Sequence, residues 1–276
     1  MILKAIFKSD FVNTETHFPY AFFNLIFAVS CRASLTQLVD SSNQCDRARL
    51  LAMSQPQTGD WLKAIPSAAT GCFLDDSTFS IAAGLRTGAN VCAAHPCRCG
   101  MLIDSRGLHP LSCPKSAGRI PRHASINTTI KRALTKANIP CVLEPSGLSR
   151  DDGKRPDGLT LFPFAQGKCL LWDATVVDTF APSNLMASAT KCSSAADKAE
   201  HLKRTKYASL SSFIFKPLAF ETSGVYGQDT LLTIRDIGRR VSHQTCDPRE
   251  TLFLRQRLSI DIIRGNAASI RMAGEQ

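Results

Sequence analysis

Apolar residues recur at helical spacing at Ile126, Ile130, Ala133, Leu134 and Ala137, which predicts an amphipathic helix over 123–138 that stops before Pro140. A short strand over 141–144 follows, and 147–154 (GLSRDDGK) reads as a polar loop. Residues 157–164 and 168–177 read as two strands joined through Gln166-Gly167, then a charged helix over 195–209 and an apolar strand over 213–220. Two amphipathic helices near 227–243 and 248–264 close the pattern. Upstream, helical text begins at Asp46 (DRARLLAMSQ) and resumes at 60–65 and 79–86, with Pro, Gly and Ser breaks between. Residues 1–45 carry no strong caps or periodicity. Their apolar run 18–31 is interrupted by Asn24, is short for a membrane span, and follows Asp10 and Glu15 rather than a positive leader. The chain therefore divides into a poorly defined extension (1–45), a helical segment (46–91), a cysteine-rich loop (92–121) and a mixed α/β region (122–276).

Charge narrows the set of partners. The 276 residues include 33 Lys+Arg against 23 Asp+Glu, a formal charge of +10, which favours a polyanion, nucleic acid first and an acidic membrane second. A solvated basic face is the competing explanation. Of the 11 cysteines, most are isolated, whereas Cys92, Cys97, Cys99 and Cys113 cluster. Scattered single cysteines in odd number suit a reducing, intracellular compartment, with the cluster reserved for metal.

Two constellations carry chemistry. Asp157 of Lys154-Arg155-Pro156-Asp157-Gly158 and Asp173 of Leu171-Trp172-Asp173-Ala174-Thr175 fall at one strand start and on the neighbouring strand. Paired carboxylates on adjacent strands suit a hard divalent cation, Mg²⁺ or Mn²⁺. Glu144, at the end of the preceding strand, either completes that metal shell or is a rim charge. The second constellation is Cys97-Arg98-Cys99-Gly100 with His109 and Cys113, a Cys₃His donor set for structural zinc. Its one-residue gap is tight, so Cys92 and His95 stand as substitutes. Phe73-Leu74-Asp75-Asp76 resembles a polymerase turn, but a helix follows at once, and Asp75 or Asp76 suits its N-cap.

Pro156-Asp157 with Asp173 resembles the PD-(D/E)xK nuclease signature, and the order helix, three strands, helix, strand resembles the restriction-endonuclease-like αβββαβ core, an α/β fold with a mixed sheet. The signature's lysine is missing, because Thr175 stands in its place. Lys203 and Lys206 of Glu200–Tyr207 (EHLKRTKY) are the replacements, against a solvated basic face as the alternative. The motifs Cys-x-Cys-Gly, Gly107–Cys113, Arg122-His123, Glu144–Leu148, Lys154–Gly158, Trp172–Thr175, Lys203–Tyr207 and Arg264–Ala268 occur in order. Together they resemble the C-terminal region of non-LTR retrotransposon polyproteins, in which a CCHC knuckle precedes a restriction-like endonuclease. The resemblance implies a DNA-nicking enzyme with catalytic Asp157 and Asp173, Lys206 as displaced lysine, and zinc on Cys97, Cys99, His109 and Cys113. It further implies DNA and possibly element RNA as partners, no membrane, a nuclear location, and backbone contacts from Lys154, Arg155, Lys203 and Arg204. With no reverse transcriptase ahead of the knuckle, it implies a fragment, a domesticated piece or a decayed element, and a catalytically inactive nucleic-acid-binding module is the alternative reading.

Overall fold

A computed structural model describes residues 33–148 and 155–273. The chain separates into two compact units, 1–41 and 42–276; of the first, residues 33–41 are helical. The apolar run at 18–31, Lys154 and most of the polar loop at 147–154 lie outside the described residues.

The second unit is mixed α+β with a mixed sheet. It opens with α1 (Gln44–Met53), a 3-10 segment (Pro56–Lys63) and α2 (Asp76–Thr87). Of the 60–65 segment, read as an ordinary helix, residues 60–63 form the end of the 3-10 segment, which starts at Pro56. Asp75 caps α2, accepting from Thr78 N–H at 2.9 Å and Thr78 Oγ1 at 2.7 Å. The cysteine-rich loop holds a hairpin, β1 (His95–Pro96) and β2 (Leu102–Ile103), and a single helical turn, α3 (His109–Ser112).

Next come α4 (Arg119–Lys136), β3 (Cys141–Leu143), β4 (Gly158–Thr160), β5 (Leu170–Val177), α5 (Pro182–Thr190), α6 (Ser194–Lys206), β6 (Ile214–Glu221), α7 (Gln228–Thr245) and α8 (Glu250–Arg271). The sheet order is β3-β4-β5-β6, antiparallel up to β5 and parallel between β5 and β6. The strand expected over 157–164 shortens to three residues for a local reason. Thr160 Oγ1 receives the Leu170 N–H at 2.9 Å and donates to Phe162 O at 2.9 Å, so a side chain takes over from the ladder. Ile126, Ile130 and Leu134 of α4 pack on Leu170, Trp172 and Ala174, alternate residues of β5, and on Leu218 and Phe220 of β6. Ile234, Ile237 and Val241 of α7 and Leu254, Leu258 and Ile262 of α8 complete the same core.

Helix α8 ties the parts together. Gly265 gives α4 its close approach, since a Cβ there would stand 2.4 Å from Arg122 Cβ. Arg122 is buried; its Nη1 donates to Asn266 Oδ1 at 2.6 Å, and Asn266 Nδ2 donates to Thr222 O at 2.7 Å. Asp261, also buried, accepts from Ser125 Oγ at 2.8 Å and Thr129 Oγ1 at 2.5 Å. Arg122, Gly265 and Asn266 therefore hold α4 against α8, and Arg264 Nη2 donates to Phe73 O at 2.6 Å. Among the described residues no helix is long and apolar enough to cross a membrane.

Candidate functional site

The carboxylate site forms where β4 begins beside β5. Gly158 pairs with Trp172 in the ladder, and the buried Trp172 indole occupies the space a Gly158 side chain would need: a Cβ would lie 2.0 Å from Cζ2. One residue earlier, Asp157 brackets Asp173. Asp157 N–H donates to Trp172 O at 3.0 Å, and Asp157 Oδ2 accepts from Ala174 N–H at 2.6 Å, taking the amide next along the ladder. The first aspartate is thus fixed to the backbone on both sides of the second. Glu144 enters from the end of β3 at φ +50, donating its N–H to Asp157 O at 2.8 Å. Its carboxylate is exposed and ion-paired with Arg155.

Different helices supply the basic partners of the two aspartates. His123 of α4 places Nε2 2.9 Å from Asp157 Oδ2, and Asn127, one turn on, places Nδ2 3.3 Å from that nitrogen. Asn127 Oδ1 accepts the Trp172 indole N–H at 3.0 Å, so the chain of contacts ends on the core. Burial pushes the Asp157 carboxyl up, but the hydrogen bond and charge of His123 and the Ala174 amide outweigh it and hold it below the usual range. His123 is correspondingly raised by its bond to Asp157.

Asp173 behaves in the opposite way. Its carboxylate is 5 % exposed, and burial pushes it up despite the attraction of Lys203, with the charge of Asp157 adding to the rise. Lys203 Nζ lies 2.9 Å from Oδ1 and Lys206 Nζ 3.8 Å from Oδ2. Oδ2 is buried without a hydrogen bond. The two lysines stand three apart at the end of α6, which puts both on one face. Lys206 also donates to Tyr207 Oη at 2.8 Å, and the buried Tyr207 ring rests on Phe215 at 4.7 Å between centroids. Of the expected backbone-contacting residues, Arg204 pairs with Asp229 at 2.7 Å and Arg155 with Glu144.

The loop from Cys97 to Cys113, with its hairpin and single helical turn, builds the second site. The Cys97 N–H donates to Met101 O at 2.8 Å and Gly100 N–H to Cys97 O at 2.8 Å, a tight turn with Gly100 at φ +93. That turn lets a one-residue gap present Cys97 and Cys99 together. His109 opens α3 and Cys113 ends it, four residues on, with Cys113 N–H bonded to His109 O at 3.1 Å. One donor atom from each of Cys97, Cys99, His109 and Cys113 lies within 4.8 Å of the others. Cys97 and Cys113 sulfurs are 3.7 Å apart, and Cys99 Sγ is 3.1 Å from His109 Nε2. A zinc tetrahedron with ordinary bond lengths sets its donors roughly 3.5–3.8 Å apart, so small adjustments complete it. A bond from the Met101 backbone lowers the Cys99 thiol to about 6, whereas burial pushes Cys113 up to about 11. The alternatives Cys92 and His95 stand outside this group: Cys92 Sγ lies 3.4 Å from Asp104 O, and His95 Nδ1 2.8 Å from Ala93 O.

No protein-family model matches the chain, and no curated protein sequence matches it. The assignment of function therefore rests on these two sites. Sequence reasoning took His123 as part of a motif without giving it a role and passed over Asn127; their four-residue spacing on α4, aimed at the Asp157 strand, was the available signal. Every cysteine among the described residues is a free thiol.

Proposed function

We propose that this chain is a divalent-metal-dependent DNA endonuclease of the restriction-like type, braced by a zinc knuckle. The observation that carries the reading is the bracketing of Asp173 by Asp157, with Lys203 and Lys206 at the second carboxylate. The order α4-β3-β4-β5-α6-β6, with β5 and β6 parallel, supports an αβββαβ core, with α5 as an addition before α6. Mg²⁺ sites commonly use one or two carboxylates and complete their shell with water and substrate phosphate, and the buried, unsatisfied Asp173 Oδ2 fits that donor set. A cation held there by Asp157 and Asp173 would polarise the phosphodiester and make bound water a stronger nucleophile. The protein's own contributions are separate from that. His123 and the Ala174 amide fix the Asp157 carboxylate, and Lys203 and Lys206 supply positive charge where Thr175 offers none. Lys206, whose ammonium also donates to Tyr207 Oη, remains the choice for the displaced lysine. Zinc on Cys97, Cys99, His109 and Cys113 would be structural, with all four positions filled by protein.

A DNA-binding module without catalysis is favoured by one observation: Lys203 already pairs with Asp173 and His123 with Asp157, so neither carboxylate needs a metal for its charge to be met. Nicking of supercoiled plasmid separates the two. The expected result is Mg²⁺-dependent nicking that EDTA stops and Asp157→Ala abolishes, while duplex binding is unchanged or slightly tighter because a negative charge is gone. Duplex binding with no metal-dependent nicking by the unmutated protein would leave only the binding module.

A further inference from the structure

The face of α7 turned away from the core carries Arg235, Arg239 and His243 at four-residue intervals, all exposed. Beside it runs a surface groove of about 400 Å³, lined by Ala137 and Ile139 after α4 and by Arg239, Arg240, His243 and Gln244 of α7. Its one lining acid is Asp236, which holds Arg239 and Arg240 at 3.4 Å each. Two guanidinium groups on one carboxylate leave a net positive charge. Arg240 is further fixed over the Phe164 ring, 4.0 Å from its centroid. Guanidinium groups held in place lose little side-chain entropy on meeting a phosphate and match its oxygens with paired donors.

We infer that this groove, with the exposed face of α7 beside it, is a second contact for duplex DNA, gripping the phosphate backbone away from the carboxylate site through Arg239 and Arg240 in the groove and Arg235 one turn along the helix. The occupant follows from charge complementarity, because apart from Ala137 and Ile139 the lining is polar or charged and its cations suit phosphates. The groove lies toward the Cys141–Thr160 end of the β3–β4 ladder, whereas Asp157 adjoins its Leu143–Gly158 end. Seven residues of chain link Asp157 to Phe164, so the two cannot be more than about 25 Å apart, or roughly seven base pairs of one strand. That bound lies within the length of a duplex of about 20 base pairs.

This inference rests on the DNA reading above but not on cleavage, and its test keeps them apart. Binding of a 20-base-pair duplex is followed by fluorescence anisotropy across ~50–200 mM KCl, the range over which backbone contacts show their salt dependence, with Ca²⁺ replacing Mg²⁺; nicking is measured separately in Mg²⁺. Arg235→Ser with Arg239→Ser should weaken binding roughly tenfold and flatten the log Kd against log salt slope by about 2, one unit per lost phosphate contact. Asp236→Asn removes the groove's one negative charge while Arg240 stays held over Phe164, so binding should tighten and the slope steepen. The control of equal charge, Lys63→Ser with Lys198→Ser, uses two exposed lysines distant in sequence from the groove. Equal effects in groove and control variants would overturn the groove, as would failure of the unmutated protein to bind the duplex, or a loss confined to an RNA probe. Groove-dependent binding without any nicking would uphold the groove and overturn the nuclease.

Discussion

The knuckle and the aspartate pair differ in what their polar atoms do without a metal. In the knuckle, three thiols and an imidazole converge within 4.8 Å, with Cys97 facing Cys113 and Cys99 facing His109. Around Asp157 and Asp173, each carboxylate already meets a cation from a helix, and among the described residues no group of three or more Asp, Glu, His or Cys donors converges there as it does at the knuckle. Soft donors packed together have little use except a soft metal, whereas carboxylates between lysine and histidine also make sense as ion pairs. Convergence of donors alone therefore marks the first as a site that could hold a metal, while the proposal for the second rests on its constraints: a strand start locked to its neighbour's backbone and a buried oxygen without a hydrogen bond.

The largest expected effect tests the knuckle. Its cluster of Cys97, Ile103, Cys113 and Ala273 joins it to the end of α8, where Ala273 O accepts the Arg98 N–H at 3.4 Å. Metal analysis should give one zinc per chain. Cys113→Ser or strong chelation should remove it and lower stability by several kcal/mol, a fraction of the apparent ~10–16 kcal/mol with which zinc holds isolated fingers folded. Full retention of zinc in Cys113→Ser, or an unchanged melting curve after its removal, would break the contrast between the sites.

Next in size are changes at the carboxylate site that leave the knuckle alone. Gly158→Ala should destabilise by about 2–3 kcal/mol in urea unfolding, since the new methyl group collides with the indole of a fully buried Trp172. Lys206→Met should slow single-turnover nicking by roughly 10²-fold, with a binding loss under threefold, if this lysine serves the reaction. An equal loss of rate and binding would reassign Lys206 to the backbone-contacting surface.

These outcomes bear on residues whose visibility in the sequence was uneven. Ile126, Ile130 and Leu134 marked α4 because one helical face meets the core, and the knuckle donors were legible because their residue types are rare together. Helix α5 was not expected: Ser, Asn and Thr crowd its text as in a loop, and only Pro182 at its first turn signalled a start. The shortening of β4 depends on the Thr160 hydroxyl replacing ladder bonds, a tertiary choice that alternation does not encode. The partner of Asp157 was hidden for a similar reason. His123 reaches it across 34 residues of sequence, and no local period links them.

The smallest expected effect concerns Asp173 and reverses the usual sign for losing an ion pair. A carboxyl whose folded-state pKa lies above its unfolded value contributes stability below the unfolded pKa and loses it as pH rises through the folded one. Asp173 is such a group, because burial outweighs Lys203, so its ionised form at neutral pH is a net burden on the fold. Asp173→Asn removes that burden. Lys203 and Lys206, with side chains 17 % and 27 % exposed, retain a route for their charged ends to water. The substitution should therefore abolish nicking while raising stability at pH 7 by up to about 1 kcal/mol, with the advantage shrinking as pH falls to where the native carboxyl is protonated. Parallel urea melts at pH 7 and in acid measure it. A neutral-pH loss of stability in Asp173→Asn would mean that the Lys203 ion pair outweighs burial, and the two sites would then differ less than their geometry implies.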